Sequence, residues 1–184
     1  MELIKELRQS KIAKTVFVAL IGSILLAISS KIKIPFYPVP MTMQTLVILL
    51  LGVTLGWKLG LATVTLYLFE GIIGLPVFSG SPEKGIGLFY FTGPTMGYLI
   101  GFLFTVYFAG RFKFEGSLLK KLLQLIFSIS FIYIFGILWL GTLIGWDKPI
   151  FQLGVQPFLF AELFKILIVL FSLSKLKKLN RYLR

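Results

Sequence analysis

Residues 157–171 read PFLFAELFKILIVLF, an apolar run with one carboxylate, Glu162, and one ammonium, Lys165, in its middle. A helix that crosses a bilayer needs about 20 mostly apolar residues. A charge inside such a helix costs at least ~2.5 kcal/mol on insertion scales and usually faces a cavity or a partner. The run therefore raises two questions together: whether the fold is built in a membrane, and what justifies the charges.

The rest of the chain agrees with a membrane fold. Of 184 residues 57% are hydrophobic and 14% charged, and mean hydropathy is +0.93. No charged residue lies between Lys33 and Lys58, between Lys84 and Arg111, or between Lys121 and Asp147. The net charge of +12 would suit a nucleic-acid partner, but the basic residues fall in short clusters between apolar runs. That distribution reads as a topology signal and excludes nucleic acid as the partner. The opening MELIKELRQSKIAK is amphipathic, without a small-residue cleavage site after it, and reads as a lead into the first helix.

Breaks at glycine, proline and charge divide the chain into six spans, at about 12–30, 42–57, 59–74, 93–110, 122–145 and 156–175. The second and third are short and join tightly through LGWKLG at 55–60. With both termini cytoplasmic, the inner segments hold Lys5, Arg8, Lys11, Lys14, Lys58, Arg111, Lys113, Lys120, Lys121, Lys175, Lys177, Lys178, Arg181 and Arg184. The outer loops hold only Lys31, Lys33, Lys84 and Lys148. Fourteen against four is the bias of the positive-inside rule, and it did not enter the division into spans. The expected fold is thus an all-α membrane protein, one domain over 1–184, with six transmembrane helices and outer loops covering a ligand pocket. Gly52, Gly56 and Gly60, like Gly93, Gly97 and Gly101, recur every four residues and should let neighbouring helices approach closely.

Glu162 and Lys165 are three apart, hence neighbours on one helix face. With the helix starting near Pro157, Glu162 lies about five residues, or ~8 Å, below its outer end. Apolar residues would suit a bundle at least as well as a mutually neutralising pair. A ligand with an anionic end and a hydrogen-bond-donating end would use both charges, Lys165 taking the anion and Glu162 the N–H groups. Two outer segments, KIKIPFYPVPMTMQTL (31–46) and GLPVFSGSPEKGIGLFYFTGPT (74–95), are too rich in proline, glycine and aromatics for helix or for a solvated loop. They are expected to fold over the pocket mouth, with Gln44, Thr42, Ser79 and Tyr90 giving polar contacts and Phe36 and Phe78 apolar wall. Glu70 is open between pocket and membrane interface.

Cysteine and histidine are absent, which removes disulfides, thiolate nucleophiles, zinc sites and haem ligation by either residue. The seven acids are too scattered for a metal pair, and no GxxxxGK[ST] loop or GxSxG elbow occurs. No metal, cofactor or catalytic residue is expected. Binding is favoured over three rivals: a small membrane enzyme using Glu162 and Lys165 as acid and base, a structural subunit, and a binding subunit for a different small molecule.

The stretches IPFYPVPMTMQTLVILLLG (34–52), GLPVFSG (74–80), GPTMGYLIGF (93–102) and QPFLFAELFK (156–165) together resemble the BioY family, the biotin-binding S components of energy-coupling factor transporters. The resemblance implies a multi-pass protein of the cell (inner) membrane that binds biotin from outside, beneath the loop after the third helix. It also implies partners: a transmembrane coupling protein carrying two ABC ATPases. The ladder Ala19, Ser23, Ala27 is similar in kind to the small-residue face with which S components meet that protein. The family's last motif usually has Pro-Gly-Asp where this chain has Phe160, Ala161 and Glu162, and its GPTGGY is altered at Met96. On this reading the valerate carboxylate of biotin meets Lys165, the ureido N–H groups meet Glu162, and a donor such as Gln44 meets the ring carbonyl.

Overall fold

The computed structural model describes residues 2–183, with side chains from 12 to 176 and at 178. Of the basic residues counted above, Lys5, Arg8, Lys11, Lys177, Arg181 and Arg184 have side chains outside the described residues. The helices are α1 (Glu2–Lys31), α2 (Gln44–Ile72), α3 (Met96–Arg111), α4 (Leu118–Ile144), α5 (Ile150–Gly154) and α6 (Leu159–Leu183). Two-residue strands β1 (Lys33–Ile34) and β2 (Met41–Thr42) pair antiparallel, and 3₁₀ turns cover Gly87–Thr92 and Gln156–Phe158. Among the described residues the small ribbon is the departure from the all-α expectation. Three prolines between its strands keep residues 35–40 out of a helix.

Among the described residues four stretches are long and apolar enough to cross a membrane: Ile12–Lys31, Gln44–Ile72, Leu118–Ile144 and Ile150–Leu176, with Met96–Arg111 apolar but shorter. The second is folded on itself. Gly56 has φ 73° and ψ 174°, a region open in practice to glycine alone. A side-chain carbon added at Gly60 would stand 3.8 Å from the Gly52 Cα, and Gln44 Nε2 donates to Tyr67 Oη at 2.7 Å. Along a straight helix those residue pairs would be about 12 and 34 Å apart. Residues 44–55 and 57–72 are therefore two antiparallel limbs, which matches the division made at LGWKLG.

Both limbs pack on α1 and on α3, α3 packs on α4, and α6 closes against α2. Glycines set the spacing. A methyl at Gly52 would stand 2.7 Å from Ala109 Cβ, and one at Gly97 or Gly101 would collide with the α4 backbone at Phe135 or Ile132. Leu26, Ile48, Leu49, Val64, Val106, Leu125 and Val169 are wholly buried between these helices. Ser117 caps α4 by accepting from the Lys120 amide, so this helix begins before its first lysine and not after the pair.

The interior of α1 also corrects one expectation. Ala19 and Ser23 are buried, Ala27 is half-buried, and Ser23 Oγ donates to Glu70 Oε2 on the second limb of α2. The small-residue ladder thus faces the chain's own bundle and is not offered to another protein. Four-residue spacing marks a close-packing face without saying whose helix fills it. The outward face of α1 carries Phe17, Leu20, Ile24 and Ile28 instead. The same contact settles Glu70, which belongs to the α1–α2 interface and not to the cavity.

Candidate functional site

α5 and the 3₁₀ turn at Gln156–Phe158 form an angular entry into α6, whose first helical residue is Leu159 and not Pro157. Glu162 consequently lies in the first turn, about 4.5 Å along the axis, where the helix dipole favours a carboxylate. Lys165, one turn further, is 3% exposed, and Glu162 is 6% exposed. Both are buried charges, and their surroundings show how the fold tolerates them.

Lys165 Nζ donates to Glu162 Oε1 at 2.8 Å, to Thr45 Oγ1 at 2.9 Å and to the Thr42 carbonyl at 2.7 Å. An ammonium has three protons, so its donors are fully used. Thr45 Oγ1 accepts from Lys165 and donates to Glu162 Oε1 at 2.9 Å. These bonds tie the start of α6 to β2 and to the first turn of α2. Glu162 Oε1 thus receives two hydrogen bonds, while Oε2 is buried with no hydrogen bond among the described residues. The phenol of Tyr133 in α4 stands beside that carboxylate, within reach to donate to it.

Glu162 is on the wall of a half-open cavity of about 50 Å³. The outer segments supply Val39, Pro40, Met41, Thr42, Gln44, Thr45, Ser79, Tyr90 and Thr95, and α3, α4 and the α6 entry supply Tyr98, Leu99, Phe102, Ile132, Tyr133 and Phe158. The walls are mostly apolar with a few placed polar groups, the composition of a small-molecule site. Buried polar atoms without a partner are rare in native folds. Among the described residues four side-chain atoms qualify, and two of them, Glu162 Oε2 and Ser79 Oγ, belong to residues of this one cavity. Gln44 is half-engaged: its Oε1 accepts from Thr42 Oγ1 at 3.3 Å and one Nε2 hydrogen goes to Tyr67, leaving a second. Tyr90 donates to the Ser79 carbonyl at 2.6 Å, and burial raises its phenol above the ordinary value of 10.

The structure therefore brings Glu162, Gln44, Thr42, Ser79 and Tyr90 to one cavity, and leaves three of the anticipated residues off its wall. Lys165 stands behind Glu162 with its donors engaged. Phe78 is 1% exposed, packed among Tyr67, Tyr90 and Phe91, and Phe36 meets Phe158 edge-on outside the cavity. No basic side chain is among the cavity's lining residues. Sequence reasoning missed Thr45, Tyr98 and Tyr133. The signal available for the tyrosines was a phenol inside an apolar helix, which needs a partner; Tyr98 finds the Gly154 carbonyl at 2.9 Å.

Comparison with known proteins places this geometry in a family. The chain matches the BioY family over residues 4–182. A probable biotin transporter BioY of Pyrococcus horikoshii is 33% identical over 153 residues, 83% of this chain and 90% of that protein. The biotin transporter BioY2 of Lactococcus lactis subsp. cremoris is 31% identical over 179 residues, 95% of this chain and 96% of the relative. A crystal structure of the S component for biotin from an ECF-type ABC transporter superposes with a TM-score of 0.76 at 26% identity, over 95% of this chain and 98% of the other. A family match over almost the whole length, with relatives above 30% identity across nearly all of theirs, shows that the chain belongs to the BioY family.

Proposed function

We propose that this chain is the biotin-binding S component of an energy-coupling factor importer, acting by capture without covalent chemistry. The observation that carries the reading is that the buried Glu162 carboxylate, with Tyr133 beside it, and the Ser79 hydroxyl belong to one half-open, mostly apolar cavity, with no hydrogen bond to Glu162 Oε2 or Ser79 Oγ among the described residues. A cyclic urea satisfies both: an N–H donates to the carboxylate, and the carbonyl accepts from Ser79 Oγ or from the second Gln44 Nε2 hydrogen. The apolar ring of biotin then lies against Phe102, Leu99 and Ile132. Lys165 positions the carboxylate from behind, and with no cation on the wall the acid end of the ligand points to the mouth.

In the membrane the chain crosses six times, the two limbs of α2 each counting once, with both termini in the cytoplasm of a cell whose inner membrane it occupies. The fold-back at Gly56 and the excess of basic residues in the inner segments support this. A transmembrane coupling protein with two ATPases supplies the energy, because this chain contains no phosphate-binding loop. Calorimetry of the purified protein with biotin and a panel of other vitamins tests the ligand: tight binding of another vitamin in preference to biotin would overturn it. Vesicles test the mechanism, which requires ATP-driven uptake only when the coupling protein and ATPases are present.

A further inference from the structure

The connection after α2 is held down from two helices. Lys31 Nζ, in the last turn of α1, donates to the Phe78 carbonyl at 2.9 Å, the Ser81 carbonyl at 3.0 Å and Ser81 Oγ at 3.3 Å. Ser30 Oγ donates to the Val77 carbonyl at 2.7 Å, and Tyr67 Oη reaches the same oxygen at 3.1 Å. The Phe78 ring plugs the bundle beneath, lying over Gly71 where any Cβ would collide with it. These anchors fall on the segment that also supplies Ser79 to the cavity wall and whose Ser79 carbonyl holds Tyr90. Glycines with positive φ, Gly74 at 100° and Gly85 at 101°, bracket it, so its ends can swing without meeting a side-chain barrier.

Two charged neighbours act on Lys31: Glu83, two residues beyond Ser81, attracts the ammonium, and Lys33 repels it. The three protons of Lys31 are all committed to this segment, and no carboxylate lies within ion-pairing distance among the described residues. An ammonium at the C-terminal end of a helix is also favoured by the dipole. Yet Lys31 is an exposed residue at the water boundary, where such bonds exchange with solvent far more readily than in the core.

We propose that Lys31, with Ser30 as its auxiliary, is a positioning residue that latches Val77–Ser81 as the roof of the cavity and so sets the rate at which a bound ligand leaves. The step from roof to ligand release rests on the biotin reading above. The latch itself does not, which allows the two to fail separately.

The chain has no cysteine, so a Ser79→Cys variant carries a single thiol at a buried cavity residue. In reconstituted full-length protein without ligand, adding Lys31→Met should speed labelling of that thiol by a small water-soluble maleimide roughly tenfold or more, the scale of losing charged hydrogen bonds. Lys31→Arg should restore slow labelling, which a general loss of packing would not allow. Ser30→Ala, which removes one hydroxyl whose single proton is shared between the Ala27 and Val77 carbonyls at 2.7 Å each, should give a smaller rise of roughly threefold. In the Ser79 background, radiolabelled biotin chased with unlabelled biotin should dissociate faster from Lys31→Met by a similar factor, with association changed less than threefold. Unchanged labelling in both Lys31→Met and Ser30→Ala overturns the latch, as does unchanged release from a protein that binds biotin. Faster labelling of the Ser79→Cys protein, with no biotin bound by the protein that keeps Ser79, supports the latch and removes the ligand reading instead.

Discussion

Replacing Glu162 by glutamine keeps the side chain's length and shape and tests one atom. The geometry fixes how the amide must sit. Lys165 Nζ and Thr45 Oγ1 both donate to Oε1, so only the amide oxygen can occupy that place, and the NH₂ group is forced to the position of Oε2. The cavity then presents a donor where it had a charged acceptor. The expected loss is that of one charge-assisted hydrogen bond, about 1.5–3 kcal/mol, or roughly 10- to 150-fold in Kd. Opposed N–H groups push the value toward the upper end. Lys165 keeps its three acceptors but loses its counter-charge, so a loss of about 3–5 kcal/mol of stability, seen as a lowered Tm, is expected, and binding is compared on the fraction that remains folded. Calorimetry with biotin and its two ureido N-methyl derivatives isolates the contact, since methylating the N–H that faces Glu162 removes the same bond from the other side. In the native protein one methylated ligand should bind weaker by a comparable factor, and in Glu162→Gln that penalty should largely vanish, because the two losses are one interaction. A variant that binds biotin within threefold of the native protein, or an N-methyl penalty equal in both proteins, would refute the assignment of Oε2 to the ligand.

Lys165→Met should cost about 3–5 kcal/mol of stability by leaving a buried carboxylate unpaired, seen as a lowered Tm. It should also weaken biotin and biotin amide by the same factor; a larger loss for the acid would put Lys165 at the carboxylate end of the ligand. Gly101→Ala should drive α3 away from the Ile132 backbone and destabilise by about 1–3 kcal/mol, measured as a Tm drop that Leu→Ala changes at exposed positions within α4 such as Leu138 do not share. Gly56→Ala should cost a similar amount, about 1–3 kcal/mol, because its φ of 73° with ψ of 174° is closed to a residue with a Cβ; near-native thermal stability would argue against the fold-back. Burial keeps the Tyr90 phenol neutral above its ordinary value of 10, so its share of stability is intact below pH 10 and is lost as pH rises beyond it. Tyr90→Phe should therefore flatten part of the alkaline decline in Tm.

What could be read from the sequence follows from which signals are local. The division at LGWKLG was legible because a lysine between glycines interrupts two apolar runs, and Gly56 proved to be the residue where the chain reverses. Glu162 and Lys165 were legible because charge is rare in such a run. Their division of labour was not, since it depends on Thr42 and Thr45, residues about 120 positions away that take up the ammonium's protons. Threonine in an apolar helix costs little and gives no warning. Nor does any one of 19 phenylalanines announce whether it lines a cavity, as Phe158 does, or plugs the bundle, as Phe78 does. The spacing of Ala19, Ser23 and Ala27 identified a close-packed face correctly and its occupant wrongly, because periodicity carries no information about which helix arrives.

The arrangement around Glu162 also explains why a family of binding proteins would keep so expensive a pair. An apolar substitution for both residues would be as stable or more so, and would leave the cavity wall uniformly greasy. With the pair present, Lys165 and Thr45 saturate one carboxylate oxygen and hold the other in fixed orientation on the cavity wall, already desolvated. A ligand N–H completes the acceptor capacity of that oxygen on arrival. A solvated carboxylate would have to shed water first and would discriminate less sharply against a ligand that lacks the donor. Lys165 thus contributes to recognition without touching the ligand: it fixes which oxygen is free, and toward what.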